Sequence, residues 1–324
     1  ITSTDIQTTP QEPQQPQPVG RQLPDAVTAA NKAAKQHPMP SEGYWFAVIK
    51  GDKVNIRFSD EKIDSDNDWS GHHNNSTTFK LSELGTLPQG TSGTFNISRE
   101  AGRMEMTGKF DGNTGMGTYK FIADNTYVEY MNKELDEKLD DDDQLAFFMI
   151  NIKKDFLQML HNEGYTRIGK DELIPVAALG IDQAYIRSIR NAGFKDLDLE
   201  KLIPLKALGI DDKYVAEIRG VYKDISTDQL VSFKAQGIDK NYISKVRQMK
   251  GDDGKDGDDA EDIITYKALN IDESFANSFK SVGYSNIARE QLVAFRSLGV
   301  TPEYIKSWQE AGFKNISPEE LSGM

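Results

Sequence analysis

The chain has 324 residues, with 38 Lys and Arg against 51 Asp and Glu and no cysteine. Its net charge of −13 argues against a nucleic-acid partner, because neutralising phosphates requires clustered basic side chains. The lack of cysteine excludes disulfides, thiolate catalysis and any zinc or iron–sulfur site built on Cys.

The N-terminal segment is rich in Pro and Gln, as in TTPQEPQQPQPVG, and offers almost nothing to bury. This composition predicts an extended linker over residues 1–40. Because the chain begins at Ile1 without a Met, we interpret the linker as a tether to a missing upstream segment that anchors it to a membrane. A free disordered tail is the alternative interpretation.

Short β-rich runs begin at Tyr44. YWFAVIK and KVNIRFS flank Gly51-Asp52, a typical hairpin turn, and GTFNIS, RMEMTGKF and TGMGTYKF are also separated by turn residues. The pattern predicts an antiparallel β domain over residues 41–123, a meander of about five or six strands. Three glycines fall inside strand patterns and indicate bulges or the close approach of another element: Gly108, Gly115 and Gly117.

After Phe121 the hydrophobic period becomes helical, and one motif recurs. ALGID occurs at residues 178–182 and again at 207–211, and weaker copies follow at similar spacing. A fixed period of about 29 residues, the distance between the two ALGID copies, is typical of repeat proteins. An aromatic residue four positions after the Ile of the motif marks each unit: Tyr127, Phe156, Tyr185, Tyr214, Tyr242, Phe275 and Tyr304.

Each unit is predicted to contain two short helices. Asp182 is placed to cap the first helix, Ile181 and Ile186 to form a hydrophobic staple around the cap, and Gly193 to end the helix. We therefore expect an α+β fold: the small antiparallel β-sheet domain is followed, over residues 124–324, by an α-solenoid-like array of short helical-hairpin repeats of about 29 residues.

The run GTFNISREAGRMEMTGKFDGNTGMGTYKFIADNTYVEYM, followed by repeats such as LIPLKALGIDDKYVAEIR, resembles a known bacterial region. It is similar to the C-terminal, extracytoplasmic part of membrane metallopeptidases of the β-lactam-sensor/antirepressor type and of related regulatory proteins, from about Tyr44 to the chain end. The resemblance implies a regulatory module in the periplasm or at the cell surface. The peptidase motif of that family, two His flanking a Glu at helical spacing, is absent, so no catalytic residue carries over.

The segment DSDNDWSGHHNNS contains candidate metal ligands: Asp64, Asp66, Asp68, His72 and His73. Alternating Asp residues begin a calcium loop, but the sixth position is not Gly and no Glu closes the loop. The two His residues could bind a transition metal, yet adjacent residues of an extended loop point to opposite sides. A solvated loop without a cofactor is the favoured interpretation, and a divalent-metal site is the alternative.

Candidate contacts with a protein or peptide partner come from the same loop and from the helices. Trp69 is unusual in so polar a loop. On the first helices of two units, Arg187 and Arg190, and likewise Lys213 and Arg219, are spaced to share a face. Ordinary solvated helix surface is the alternative for each of these basic residues.

The favoured hypothesis is a non-catalytic extracytoplasmic module that senses a signal or binds a protein, because stacked short repeats form extended binding surfaces. An enzyme needs a base, a nucleophile or a metal in mutual geometry, and the sequence supplies no such set. Two alternatives are a metal-dependent enzyme or metal-binding domain using the loop of His72 and His73, and a structural spacer.

Overall fold

A computed structural model describes residues 39–60, 75–249 and 259–323 of the chain. The fold is of the α+β class, as predicted. Contacts divide the described chain into two compact units: the sheet unit contains the described residues up to Ala216, and the C-terminal unit contains those from Glu217 onward.

Six antiparallel strands form one curled sheet in the sheet unit. The strands are β1 (Glu42–Lys50), β2 (Lys53–Ser59), β3 (Asn75–Lys80), β4 (Gly93–Arg99), β5 (Gly102–Asp111) and β6 (Thr114–Ala123). Their order is β3-β2-β1-β6-β5-β4. The expectation of a single meander is therefore wrong in one respect: β6 returns to pair with β1, which joins two three-stranded meanders.

A row of glycines crosses the sheet next to Trp45. In register, Trp45 of β1 pairs with Gly117, Gly117 pairs with Gly108, and Gly108 pairs with Gly93. A Cβ atom on Gly108 would lie 2.7 Å from Trp45 Cζ2. The glycines thus allow the indole to approach the sheet closely, and the unbroken register of β5 and β6 contains no bulge.

The helices are short. Between β3 and β4 lies α1 (Leu81–Leu84), and the sheet unit continues after β6 with α2 (Asn125–Glu134), α3 (Asp141–Ile150), α4 (Lys154–Asn162), α5 (Lys170–Ala178), α6 (Gln183–Asn191), α7 (Leu199–Ala207) and the start of α8 (Asp212–Arg219). The C-terminal unit contains α9 (Thr227–Ala235), α10 (Lys240–Gln248), α11 (Ala260–Ala268), α12 (Glu273–Ser278), a 3-10 turn (Phe279–Val282), α13 (Arg289–Leu298), α14 (Pro302–Glu310) and α15 (Pro318–Gly323). Within the described ranges, no helix combines the length and the apolar character that crossing a membrane requires.

The helix starts predicted from the ALGID motif are confirmed. Asp182, Asp211, Asp239 and Asp272 each accept a hydrogen bond of 2.7–2.8 Å from the backbone N–H three residues later. The isoleucine before each of these caps is buried, as expected for a staple. The motif therefore positions helix ends, which is a structural role.

Arg99 connects the sheet to α1 and α3. Its Nη1 donates to the backbone carbonyls of Phe148 (2.7 Å) and Met149 (2.8 Å), at the C-terminal end of α3, and its Nη2 lies 3.0 Å from Glu83 Oε2. The guanidinium also lies 5.0 Å from the ring centroid of Phe79 and 5.5 Å from that of Phe148. Because Phe79 belongs to β3 and Arg99 to β4, these contacts connect the two outer strands of the curled sheet.

Candidate interaction site

A buried carboxylate lies at the C-terminal end of α4. Glu163 is the C-cap residue of that helix, and only 7% of the residue is exposed. Gly164 follows it with φ of 93°, which lets the chain turn away from the helix. In the sequence Glu163 looks like an ordinary polar helix end, so no local signal identifies it as a buried ion.

Three side chains converge on Glu163 from α6. Gln183 Nε2 and Arg187 Nε each donate to Glu163 Oε1 at 2.8 Å. Arg190 Nη1 donates to Oε2 at 2.7 Å, and its Nη2 donates to the backbone carbonyl of Glu163 at 2.6 Å. The Arg190 guanidinium also lies 5.4 Å from the ring centroid of Tyr165. We call Glu163, Gln183, Arg187 and Arg190 the Glu163 cluster.

The Glu163 cluster carries an excess positive charge. Burial alone would raise the pKa of Glu163, but the hydrogen bonds from Arg187 and Gln183 and the charges of Arg187 and Arg190 outweigh it and hold the pKa below its usual range. At neutral pH one carboxylate therefore faces two guanidinium groups. The side chain of Arg187 is 60% exposed and that of Arg190 is 28% exposed, so Arg187 is the more solvent-accessible of the two cations.

Glu163→Gln is expected to lower the free energy of unfolding by about 2 kcal/mol at pH 7, since hydrogen bonds to a charged group are lost. The folded-state pKa of Glu163 is lowered, so its stabilisation is fully present above the unfolded pKa of about 4.3 and disappears as pH falls through the folded-state value. Urea denaturation of both proteins from pH 2.5 to 7 measures this difference. A difference that stays constant over that range would contradict the assignment.

An open groove of about 420 Å³ lies beside the Glu163 cluster, between α6 and the start of α8. Its lining consists of Ala184, Arg187, Ser188, Asn191, Ala192, Asp212 and Ala216. The three alanines leave room for a main chain to approach closely. The hydroxyl of Ser188 already donates to the backbone of Tyr185 at 2.8 Å. Among the described residues, Arg187 Nη1 and the side chains of Asn191 and Asp212 make no hydrogen bond, so these three groups are available to a ligand.

The sequence matches no protein-family model and no curated protein, and no solved structure matches the chain. The resemblance to the metallopeptidase regulatory region therefore stays a prediction.

The basic residues selected from the sequence have different surroundings. Arg187 and Arg190 are brought together on Glu163. Lys213 is exposed on α8 and does not line the groove. Arg219 is half-buried and lies in the C-terminal unit. The paired spacing on α6 thus predicted a shared surface, although its buried partner was invisible in the sequence.

The predicted loop ligands and loop tryptophan lie outside the described residues: Asp64, Asp66, Asp68, Trp69, His72 and His73. The metal site and the Trp69 contact therefore stay predictions. In residues 39–60, 75–249 and 259–323, no group of three or more His, Asp and Glu side chains could hold a metal ion.

Proposed function

We propose that the chain is a non-catalytic protein-interaction module whose helices from residue 124 onward form an array of helical-hairpin repeats. Two regularities support the array. The capping aspartates recur at nearly even intervals, at positions 182, 211, 239 and 272. Equivalent aromatic residues also make the same contact, because Lys206 lies over the ring of Tyr185 at 4.3 Å and Lys267 lies over that of Tyr242 at 4.5 Å. Arrays of this kind present extended surfaces to proteins.

The groove beside the Glu163 cluster is the binding surface that we propose. The observation that carries this proposal is that Arg187 is held in place by a buried carboxylate while 60% of its side chain stays exposed at the groove. A guanidinium fixed in this way loses less conformational entropy when it binds a second carboxylate. Arg187 is therefore pre-organised to receive an acidic side chain.

The proposed ligand is an extended peptide segment that carries an Asp or Glu near a Lys or Arg. Its carboxylate would pair with the free edge of Arg187, and its basic side chain would pair with Asp212 on the opposite wall. The amide of Asn191 can both donate to and accept from a peptide group. Because the whole chain carries a net charge of −13, electrostatic steering favours a partner with a net positive charge.

The cellular role is proposed from the family resemblance. A regulatory module of this kind would work outside the membrane, attached through the linker of residues 1–40, and would sense a signal by binding a protein or peptide. The groove beside the Glu163 cluster, with the exposed Arg187 at its edge, is the feature that supports binding of a protein or peptide.

The test is selection of peptides on the full-length protein with a displayed library of random dodecapeptides. We expect enriched peptides to contain an acidic residue near a basic one. Arg187→Ala is expected to weaken their binding about tenfold or more by fluorescence anisotropy, because a charge-assisted hydrogen bond is lost.

Lys213→Ala is the matched control, since it removes an exposed positive charge from α8 without changing the groove lining. We expect its affinity to stay within about twofold of the parent protein, as is usual for a screened surface charge. Equal binding of the enriched peptides by the parent protein and by folded Arg187→Ala would overturn the groove proposal. Failure to enrich any peptide would favour the structural-spacer hypothesis.

A further inference from the structure

Three lysines lie opposite one another at one end of the curled sheet. In register, Lys50 of β1 pairs with Lys53 of β2, and Lys53 pairs with Lys80 of β3. Val54, which follows Lys53, and Phe79, which precedes Lys80, are buried on the other face, so the three lysines point outwards, and all three are exposed. Directly opposite residues have Cβ atoms about 5 Å apart from strand to strand. We call Lys50, Lys53 and Lys80 the lysine row.

The lysine row differs from the other charges on the same face of the sheet. The paired residues of this face are Arg103 with Glu105 at 2.8 Å, Lys109 with Asp111 at 2.9 Å and Lys120 with Glu42 at 3.5 Å. In residues 39–60, 75–249 and 259–323, no Asp or Glu side chain forms an ion pair with the lysine row. Glu83 lies close to Lys80 in the chain, but its carboxylate accepts from the backbone N–H of Lys80 at 2.9 Å and pairs with Arg99 at 3.0 Å.

Neither stability nor solubility accounts for the lysine row. Like charges directly opposite one another on neighbouring strands destabilise a sheet. A net charge of −13 already favours solubility, and three clustered lysines reduce that charge. Lysine on an edge strand can discourage unwanted strand pairing, but Lys50 and Lys53 belong to inner strands. A negatively charged ligand is the explanation that remains.

Apolar side chains continue along the same face next to the lysine row. On β1, Val48 precedes Lys50 by two residues and is half-buried, and Phe46 lies opposite Met116 of β6. Met116 is 60% exposed. Methionine and aromatic residues are enriched in protein interfaces, whereas stacking of nucleic-acid bases requires exposed ring faces, and Phe46 is half-buried. The combination of lysines and apolar side chains therefore fits an acidic protein segment better than a nucleic acid.

We propose that the lysine row and Met116 bind an acidic segment of a partner protein whose carboxylates adjoin alternating apolar side chains. The carboxylates pair with the ammonium groups of the lysine row, and the apolar side chains pack on Val48 and Met116. An extended segment advances about 7 Å for every two residues, which is also the distance from Lys50 to Val48 along β1. One short extended segment therefore makes both kinds of contact.

The main probe is a fluorescein-labelled peptide of sequence EEELTLTL, in which three carboxylates precede apolar residues at alternate positions. A second peptide, EEESTSTS, keeps the charge and lacks the apolar side chains. An eight-nucleotide oligothymidylate presents phosphates instead of carboxylates. Binding of each labelled probe to the full-length protein is measured by fluorescence anisotropy.

We expect EEELTLTL to bind saturably and Lys53→Glu to weaken its binding about tenfold, because an attractive charge becomes repulsive. Met116→Ser should weaken binding about threefold, since apolar contact is lost. Lys133→Ala is the matched control on α2, where Lys133 is 82% exposed, and removing this charge should change the affinity by less than about twofold. Urea denaturation checks folding: Lys53→Glu should unfold at the same urea concentration as the parent protein or a higher one, since opposed like charges are removed.

Equal affinity of EEELTLTL for the parent protein and for folded Lys53→Glu would overturn the proposal, as would the absence of binding at millimolar peptide. Binding of EEESTSTS as tightly as EEELTLTL would contradict the apolar contact. Tighter binding of the oligothymidylate would overturn a protein partner and assign the lysine row to phosphate. None of these outcomes bears on the groove beside Arg187, because Lys53 and Met116 lie on the sheet and the groove lies between α6 and α8.

Discussion

Gly108→Ala is expected to lower the free energy of unfolding of the sheet unit by about 3 kcal/mol or more, at the upper end of the cost of overpacking a core. The new Cβ atom would lie 2.2 Å from the backbone oxygen of Met116 and 2.8 Å from Gly117 Cα. These are backbone atoms of the neighbouring strand, which cannot rotate out of the way like the end of a flexible side chain. The substitution must therefore separate β5 from β6 or move them both.

The other neighbour of the new methyl group has no room to move either. Trp45 Cζ2 would lie 2.7 Å from the added Cβ, and the indole is only 1% exposed. Its ring centroid lies 5.6 Å from that of Phe95 and 5.4 Å from that of Phe110, and its Nε1 donates to the carbonyl of Thr118 at 3.0 Å. Displacing the ring would break this hydrogen bond and disturb a close-packed interior.

Urea denaturation followed by near-ultraviolet circular dichroism measures the effect. Gly169→Ala is the matched control, because no heavy atom lies within 4 Å of the position that its new methyl group would occupy and its φ of −76° suits alanine. Gly169 is a helix N-cap, so we expect a loss of about 1 kcal/mol at most. If Gly108→Ala were as mild as this control, close approach of Trp45 could not be the reason for glycine at position 108.

Local features of the helices could be predicted from the sequence because each depends on a few neighbouring residues. Ser226 and Ser317 precede α9 and α15 and accept hydrogen bonds from the backbone N–H of Gln229 at 3.1 Å and of Glu320 at 3.2 Å, as the preference of Ser for N-caps would predict. The strands could be predicted for the same reason, since alternation and turn residues are local signals. Of the six strands, only β3 (NSTTFK) is not among the runs that the sequence predicts as strands.

Pro175 and Pro204 show the limit of local rules. A proline inside a helix normally bends or ends it, because it lacks the N–H, yet α5 and α7 continue through these two prolines. The carbonyls that lose a donor belong to the residues four positions earlier, Asp171 and Glu200, and both residues are exposed. Water can therefore satisfy these carbonyls, so the missing N–H costs less than it would in a buried helix.

Contacts between distant segments could not be predicted, and these contacts form the candidate site. Glu163 ends α4 and Arg187 lies in α6, with a whole helix between them, and neither residue carries a signal that names the other. The pairing of β1 with β6 is non-local in the same sense. Two arginines at helical spacing are also typical of a solvated surface, so their spacing cannot distinguish a pre-organised cation from an ordinary one.

Arg99→Ala is expected to lower the free energy of unfolding by about 3 kcal/mol, because a buried polar group left unsatisfied costs about 1–3 kcal/mol. The side chain is only 10% exposed. Its loss leaves the carbonyl of Met149 without its side-chain donor, and the carbonyl of Phe148 keeps only the backbone N–H of Asn151, at 3.1 Å. The contact is also favoured by the partial negative charge at the C-terminal end of α3, so the variant loses a favourable charge–dipole interaction as well. Urea denaturation of the variant and the parent protein measures the loss.

The matched control is Arg103→Ala, on β5 beside β4. Arg103 is 55% exposed and lies 2.8 Å from Glu105, whose side chain is 44% exposed. An exposed ion pair of this kind contributes about 0–1 kcal/mol, so the control should unfold almost like the parent protein. Comparable losses in both variants would mean that Arg99 is no more than a surface charge.

Arg99→Lys separates the contribution of charge from that of shape. Lysine keeps the positive charge, but it lacks the planar fork that lets one guanidinium reach two carbonyls and Glu83 while it stacks between two rings. We expect it to recover less than half of the stability lost in Arg99→Ala. Relative to the parent protein, amide hydrogen exchange should accelerate more in β3 and β4 than in β1 and β6. Full recovery by lysine would show that charge alone stabilises the end of α3. In that case the outer strands of the curled sheet would be held together by the packing of Phe79 and not by the guanidinium.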